Sequence, residues 1–445
     1  MIKNIFTEKI ILPSSDLLLD RSISKDLRFL QNSQWWSKEK LENFQNEQLQ
    51  KLIQYSYKNV PYYTNLFDKL SISPKDIQTK EDLKKLPILT KADIKKNFPN
   101  LIVSQKLKKG EFYKSASSGS TGEPMQYYLS KKAYSMNIAS NLRGWYWMGY
   151  RLGDKFVKIS HNSRTSNEKK IQDFLLSNRY IDFKNIDNES LQNVINEINN
   201  YNPNFIRCYP DPLLFISEIL ENHDIKLRPR AIATTGNTLH SSTRNKIENV
   251  FDCKIFDAYS CEGGASFFEC ETHSCYHSAM EYAISEFVDV VQVENGKYQG
   301  RMITTDLWNY ALPFIRYDSQ DILEWDDNKC ECGRELLSVN RIIGRDSDIL
   351  ITPKGKRMII HKFTIFFSKI EEVVQFQIVQ DKLDHMIFKL VVNSKYSKST
   401  EADILFFWND AIGDGVIIEI DYVDQIKSTP AGKRRFLIRD SSISL

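Results

Sequence analysis

The chain has 445 residues, 41% hydrophobic and 26% charged, the balance of a folded globular protein and too long for one ordinary core, so two domains are expected. Lysine and arginine number 60 against 57 acidic residues, a net charge of only +3, which excludes the strongly basic surface of a general nucleic-acid binder. No run approaches the roughly 18 apolar residues that span a bilayer, and the first residues carry charges around a short apolar run where a signal peptide has its core. A cytoplasmic protein is therefore expected, its seven cysteines free or metal-bound and not disulfide-bonded.

In chain order, residues 34 to 100 read as helices and turns, with apolar positions at helical spacing in LENFQNEQLQKLIQYSYKNV. Pro61, Pro74, Pro87 and Pro99 punctuate them as helix boundaries. The basic run from Lys106 to Lys109 is isolated and reads as a solvated loop. From about 101 to 330, short apolar runs (156 to 160, 205 to 209, 231 to 235, 253 to 259, 301 to 307) alternate with amphipathic helices such as PLLFISEILENH. That is the pattern of an α/β fold with a mostly buried sheet. After about 345 the sequence restarts as a small α+β unit: a hairpin in DILITPKGKRMII, a helix in HKFTIFFSKIEEV, a strand in FKLVVN, a helix in STEADILFFWNDAIG and a strand in VIIEIDYVD. The expected division is a large domain over 1–344 and a small one over 345–445.

The segment from Ser115 to Pro124 is rich in hydroxyls and punctuated by glycine. Glycine lets backbone N–H groups turn toward an anion and hydroxyls add neutral donors, a composition suited to a polyphosphate. Glu123 after Gly122 rules out the nucleotide loop that ends in Gly-Lys-Ser/Thr.

SASSGSTGEP resembles the phosphate loop of the adenylate-forming enzymes: acyl-CoA synthetases, luciferases and peptide-synthetase adenylation domains. Four further segments resemble that superfamily's motifs in the same order: DAYSCEGG (257 to 264), PFIRYDSQD (313 to 321), IIGRDSDIL (342 to 350) and STPAGKRR (428 to 435). The helical segment NEQLQKLIQYSYKNVPYYTNLF, the segment EDLKKLPILTKADIKKN and the C-x-C-Gly-Arg at 330 to 334 resemble the phenylacetate:CoA ligase branch. Within it they are most similar to the adenylate-forming proteins of capsular-polysaccharide biosynthesis.

The resemblance implies that Ser117, Ser118, Gly119, Ser120, Thr121 and Gly122 surround the β- and γ-phosphates of ATP, and that Glu262 holds Mg²⁺ beside the α-phosphate. It further implies that Tyr259, Asp321 and Arg345 contact the nucleotide, with Asp321 on the ribose hydroxyls, and that Gly236 and Asn237 form the adenine turn. Asn237 stands where the family more usually has glutamate. Lys433 is the implied catalytic lysine, a point charge between substrate carboxylate and α-phosphate; Lys427, Arg434 and Arg435 are its neighbours. The family's small domain rotates between half-reactions, and Ser347, flanked by Asp346 and Asp348, takes the place of its hinge aspartate.

Cys270 and Cys275, with His273 and His277 interleaved, precede Cys330 and Cys332 by some 55 residues, giving six ligands of the kind zinc takes four at a time. The resemblance to the capsular-polysaccharide group, which carries a cysteine-histidine pair ahead of its C-x-C with the histidine at the position of His277, implies Cys270, His277, Cys330 and Cys332 as the set. Cys275 and His273 are the alternates, and a four-thiolate site is equally sound. A closed shell of four makes the zinc structural. Cys208 and Cys253 read as core.

The expected activity is ATP-dependent activation of a carboxylic acid as acyl-AMP, followed by acyl transfer to CoA or to an amine or hydroxyl acceptor. The competing reading is a catalytically degenerate protein of the same fold that binds a nucleotide or polysaccharide precursor. An aryl acid, an amino acid and a sugar-linked acid all fit the sequence, and the aromatic run from Tyr134 to Tyr150 reads as helix packing.

Overall fold

The computed structural model describes the chain apart from residues 1, 118–124, 161–166, 183–187, 224, 294–295, 346–348, 355–356, 361–362, 364–365, 368–369, 371, 427–435, 441–442 and 444–445. It divides into two compact units. The first is Met1–Ser115, Gln126–Ser319 and Leu323–Ile342; the second is Ala116–Met125, Gln320–Ile322 and Ile343–Leu445.

The first unit opens with helices. Ser37 caps Lys38–Asn59 by accepting from the Lys40 N–H, and Pro61 starts Pro61–Leu70, where its missing N–H costs nothing. Leu49, Leu52 and Ile53 of the first pack with Tyr63 and Phe67 of the second against Ile284, Leu307 and Ile315. Two further helices, Leu12–Leu19 and Ile23–Ser33, precede the point where the sequence reading begins its helices. The earlier one exposes Leu17 and Leu18 at 85% and 83%, so its apolar residues do not fall on one buried stripe and periodicity does not reveal it.

An eight-stranded sheet forms the centre of this unit, in the spatial order Ser338–Val339, Tyr276–Ser278, Ser266–Glu269, Lys254–Ser260, Ala231–Thr235, Phe205–Cys208, Phe156–Ser160, Asn178–Asp182. The last five are parallel and the first three antiparallel additions. Alternate residues serve opposite faces. Phe156 and Phe205 pack under the helix Lys131–Trp147, whereas Val157, Ile206 and Ile232 pack with residues of Pro210–Asn222 and Ser241–Phe251. Cover on both faces is why these strands read as near-continuous apolar runs, and the fold is α/β as the sequence indicates. The buried Arg143 of the Lys131–Trp147 helix pairs with Glu281 at 2.8 Å, and Ser33 joins the same carboxylate, fixing that helix above the sheet. Ala283–Gln292 and Tyr298–Asp306 form an antiparallel hairpin in which Ala283 faces Asp306.

In the second unit the strands run in the order Ile417–Tyr422, His385–Val392, Val373–Lys382, Leu437–Arg439. Trp408 of the helix Lys398–Ile412 is fully buried and stacks on Phe363 with ring centroids 3.6 Å apart. Ile349–Ile351 and Arg357–Ile359 make the anticipated hairpin. Much of the helix expected over HKFTIFFSKIEEV lies outside the described residues. Val373–Lys382, the longest strand of this sheet, is absent from the sequence reading. Among the described residues no helix is long and apolar enough to cross a membrane.

Candidate functional site

Strand Lys254–Ser260 leads into the turn that carries Glu262. Gly263 and Gly264 follow it with φ of +94° and +89°, a region side chains disfavour. Space is short as well: a Cβ on Gly263 would sit 2.7 Å from Thr304 Cγ2, closer than a side chain allows, and one on Gly264 3.0 Å from Asp306 Cγ, a tight contact. The Thr304 hydroxyl donates to the Gly263 carbonyl at 2.9 Å, so the turn lies flat on strand Tyr298–Asp306 and holds Glu262 at the wall of a cavity of about 480 Å³.

The same wall includes Ser115, which leads into the hydroxyl-rich segment, and Tyr127, which follows it. The helix Lys131–Trp147 contributes Tyr134 and Asn137, and Arg21, Cys261, Tyr282 and Asp306 complete the polar lining used below. Asp306 is 1% exposed. Its Oδ1 accepts from the N–H groups of Trp308 at 2.8 Å and Asn309 at 3.1 Å, yet burial outweighs these bonds and that of Tyr282, pushing the carboxyl up to about 7. Burial also raises Tyr127, opposed by a hydrogen bond with Ser115 and reinforced by the charges of Glu262 and Asp306. Tyr282 is raised well above the ordinary phenol value by burial and then by Asp306. The cavity is thus lined by phenols and the amides of Asn137 and Asn309 around the carboxyl groups of Glu262 and Asp306, with the cations Arg21 and Lys114 in the same wall.

Of the residues singled out in the sequence, Glu262 is brought to this cavity, with Ser115 beside the loop. Ser117 closes the loop's base: its N–H donates to the Met125 carbonyl and its hydroxyl accepts from the Met125 N–H, both at 2.9 Å. Ser118, Gly119, Ser120, Thr121 and Gly122 lie outside the described residues, as do Lys433, its basic neighbours and the segment from Asp346 to Asp348. Gly236 follows strand Ala231–Thr235 with φ of +84°, against the ring of Tyr209, and Asn237 comes next in that turn. Tyr259 lies on Lys254–Ser260, its ring centroid 6.2 Å from that of Phe267. Asp321 is buried on Tyr317–Trp325. Arg345 ends strand Arg341–Arg345, and its side chain is outside the description. Tyr127, Asn137, Tyr282, Asp306 and Arg21 are missing from the sequence reading. The one signal available for part of this set is the spacing of Tyr134 and Asn137, three apart on a helix. The aromatic run divides: Trp145 and Trp147 pack in the core, and Tyr134 lines the cavity.

A second group of side chains gathers beside the sheet. One ligand atom each from Cys270, His277, Cys330 and Cys332 lies within 4.8 Å of every other. Cys270 Sγ is 3.6 Å from Cys330 Sγ, and His277 Nε2 is 3.1 Å from Cys332 Sγ. Cys275 Sγ reaches the same nitrogen at 3.6 Å, so this alternate flanks the group. His273 turns elsewhere, its Nδ1 3.4 Å from Glu269 and its ring on Phe256. Hydroxyls surround the sulfurs: Thr272 Oγ1 is 3.2 Å from Cys270 and 3.4 Å from Cys330, and Ser274 Oγ is 3.4 Å from Cys330. Burial would raise the Cys330 thiol, but Ser274 and Thr272 outweigh it and bring it down to about 7. Strand Tyr276–Ser278 fixes His277 opposite Ser338. Arg334 ties the C-x-C loop down with two bonds to Glu271 at 3.0 and 2.9 Å, its guanidinium stacked on Trp35 and Trp147. All seven cysteines are free.

Residues 350–440 match the family model described as the CapK C-terminal domain. Protein CapK of Staphylococcus aureus is 26% identical over 412 residues, covering 89% of this chain and 88% of that protein. Phenylacetate-coenzyme A ligase of Thermus thermophilus is 23% identical, covering 83% and 85%. Among solved structures, 2-hydroxyisobutyryl-CoA ligase in the postadenylation state, in complex with 2-HIB-AMP, aligns with a TM-score of 0.72 at 15% identity, covering 92% of each chain. The anthranilate CoA ligase AuaEII in complex with anthranoyl-AMP aligns with a TM-score of 0.52 at 14% identity, covering 72% and 65%.

Proposed function

The chain is a homologue of CapK and of the phenylacetate-coenzyme A ligases and has the fold of the adenylate-forming CoA ligases; on that premise we propose that it is an AMP-forming ligase. It joins a carboxylic acid to the α-phosphate of ATP, releases pyrophosphate, and then passes the acyl group to CoA or to an amine or hydroxyl acceptor. A role in capsule or surface-polysaccharide assembly is part of this reading, supported by the likeness to CapK.

The observation that carries it is the cavity holding both Glu262 and Ser115, the residue that enters the hydroxyl-rich loop. In the first step a carboxylate oxygen attacks the α-phosphorus and the bond to pyrophosphate breaks. Two anions must meet, so cationic help is needed between them. Glu262 is the residue that would hold Mg²⁺, which would supply charge neutralisation at the phosphates, and its turn is held to strand Tyr298–Asp306 by the bond from the Thr304 hydroxyl to the Gly263 carbonyl. Ser117 through its hydroxyl proton, and Ser118 to Gly122 through hydroxyls and N–H groups, bind the β- and γ-phosphates, and Lys433 places its ammonium at the reacting carboxylate. Tyr259, Gly236, Asn237, Asp321 and Arg345 hold the adenosine. In the second step the acceptor attacks the acyl carbonyl and AMP leaves with its bridging oxygen.

The Cys/His group suits structural zinc. Tetrahedral zinc with bonds of about 2.3 Å to sulfur and 2.0–2.1 Å to nitrogen holds its ligand atoms roughly 3.4–3.8 Å apart; Cys270 and Cys330 stand at 3.6 Å, His277 and Cys332 at 3.1 Å, and all four ligand atoms lie within 4.8 Å of one another. Cys270, His277, Cys330 and Cys332 are the proposed ligands; Thr272 and Ser274 supply hydroxyls to the thiolates. Four protein ligands would leave no position for water, so zinc held by these residues would tie the chain after Glu269 to the Cys330–Cys332 loop and take no part in the reaction.

Acid-dependent exchange of pyrophosphate into ATP tests the activity. The expected outcome is exchange with a preferred acid, reduced at least about a hundredfold in Lys433→Ala. ATP binding with no exchange across a broad panel of acids would instead favour the degenerate binding protein.

A further inference from the structure

Arg21 comes from the N-terminal segment that precedes the resemblance drawn from the sequence, and its surroundings fix it firmly. Its own N–H bonds the Asp16 carbonyl at 2.8 Å. The next residue, Ser22, donates its N–H to Ser135 Oγ at 3.1 Å, and Lys131 and Lys132 of the same helix pair with Asp20 and Asp26. The guanidinium lies 4.8 Å from the Tyr134 ring and 5.5 Å from the Tyr113 ring, and Nε donates to the Tyr113 hydroxyl at 2.9 Å.

Two phenol rings and one hydroxyl therefore use the flanks of this guanidinium and its Nε. Among the described residues no carboxylate pairs with it and neither Nη atom has an acceptor. What remains is the two-pronged edge that matches a carboxylate or phosphate. An arginine covering aromatic rings on an open surface would satisfy that edge with water. This one lines the cavity that holds Glu262, and Lys114 adds a second positive charge to the same lining.

We propose that Arg21 is a specificity-determining residue of this cavity, and that the acid activated there carries a second anionic group, a carboxylate or phosphate, received by the Arg21 guanidinium. This rests on the adenylation reading for the first carboxylate and adds to it the class of acid. The ring contacts explain why the charge is held at the wall: a guanidinium already confined by stacking loses little further freedom when it binds an anion.

The test is pyrophosphate exchange with acid pairs that differ by one anionic group: succinate and butyrate, glutarate and valerate, phthalate and benzoate, 3-phosphonopropionate and butyrate. The expected result is that the unaltered enzyme favours the dianionic member of at least one pair by about tenfold or more in kcat/KM. Arg21→Gln abolishes that preference, leaves the monoanionic acids within about threefold and does not alter the KM for ATP; Arg21→Lys keeps part of it. Which pair responds separates carboxylate from phosphate. Equal use of mono- and dianionic acids by the unaltered enzyme overturns the proposal. So does a uniform loss in Arg21→Gln carried by the KM for ATP, which would assign Arg21 to the triphosphate. Absence of exchange with every acid sinks the adenylation reading instead. Thermal-shift titration of the unaltered chain and Arg21→Gln with succinate and butyrate then decides on Arg21 alone: stabilisation specific to succinate and lost in the variant supports the site, and its absence overturns it.

Discussion

Asp306 shows how one residue's surroundings set a measurable property. The sequence presents it as an ordinary aspartate at the end of an apolar run, and nothing local distinguishes it from a turn residue. Folding seals it from water, so its carboxyl keeps a proton up to about 7 in place of the ordinary 3.8. From about pH 4 upward the unfolded chain gives up this proton while the folded one retains it, so stability falls as pH rises through that window. Asparagine has no proton to lose. The melting temperature of Asp306→Asn, measured relative to the unaltered protein, should therefore rise between pH 5 and pH 8, and scanning calorimetry at four pH values would show it. A constant offset would mean that Asp306 titrates normally. Glu262 was singled out in the sequence because DAYSCEGG resembles a motif of the superfamily. Arg21, Tyr127 and Tyr282 were not, because they meet only in three dimensions.

At the scale of elements, the cysteine and histidine spacing carried its message well. Cys270, the strand Tyr276–Ser278 and the C-x-C loop bring together the four residues that the family resemblance selected from the six that spacing offered. What spacing could not supply was the anchor, since Arg334 reaches Glu271 some sixty positions earlier. If zinc is the structural tie, metal analysis of the purified chain will find one zinc per molecule. Cys330→Ser or Cys332→Ser should drop the content to near zero and lower the melting temperature, because the binding free energy of a structural zinc is folding free energy. Cys275→Ser decides between the two ligand sets: full zinc content supports the set with His277, and loss supports four thiolates. Zinc absent from the unaltered protein contradicts both. The strand Val373–Lys382 escaped the sequence reading although Phe376, Ile378 and Gln380 alternate toward the core. Three glutamines break its apolar pattern. One of them, Gln380, is fully buried and bonds both backbone groups of Ile351, a long-range pairing that local hydrophobicity cannot announce.

For the whole molecule, four of the five parallel strands were legible because burial on both faces makes them largely apolar, whereas the edge strand Asn178–Asp182 (Asn-Arg-Tyr-Ile-Asp) was not. The first thirty residues were less so, because several of their apolar side chains stay exposed. In the proposed reaction the acid's own oxygen becomes bonded to the α-phosphorus of ATP. Incubation with ATP, acceptor and a turned-over acid labelled with ¹⁸O in its carboxylate, followed by mass spectrometry of the nucleotide product, tests this most directly. The expected product is AMP carrying one ¹⁸O atom per turnover. Unlabelled AMP, or label recovered in inorganic phosphate with ADP as the product, would contradict it.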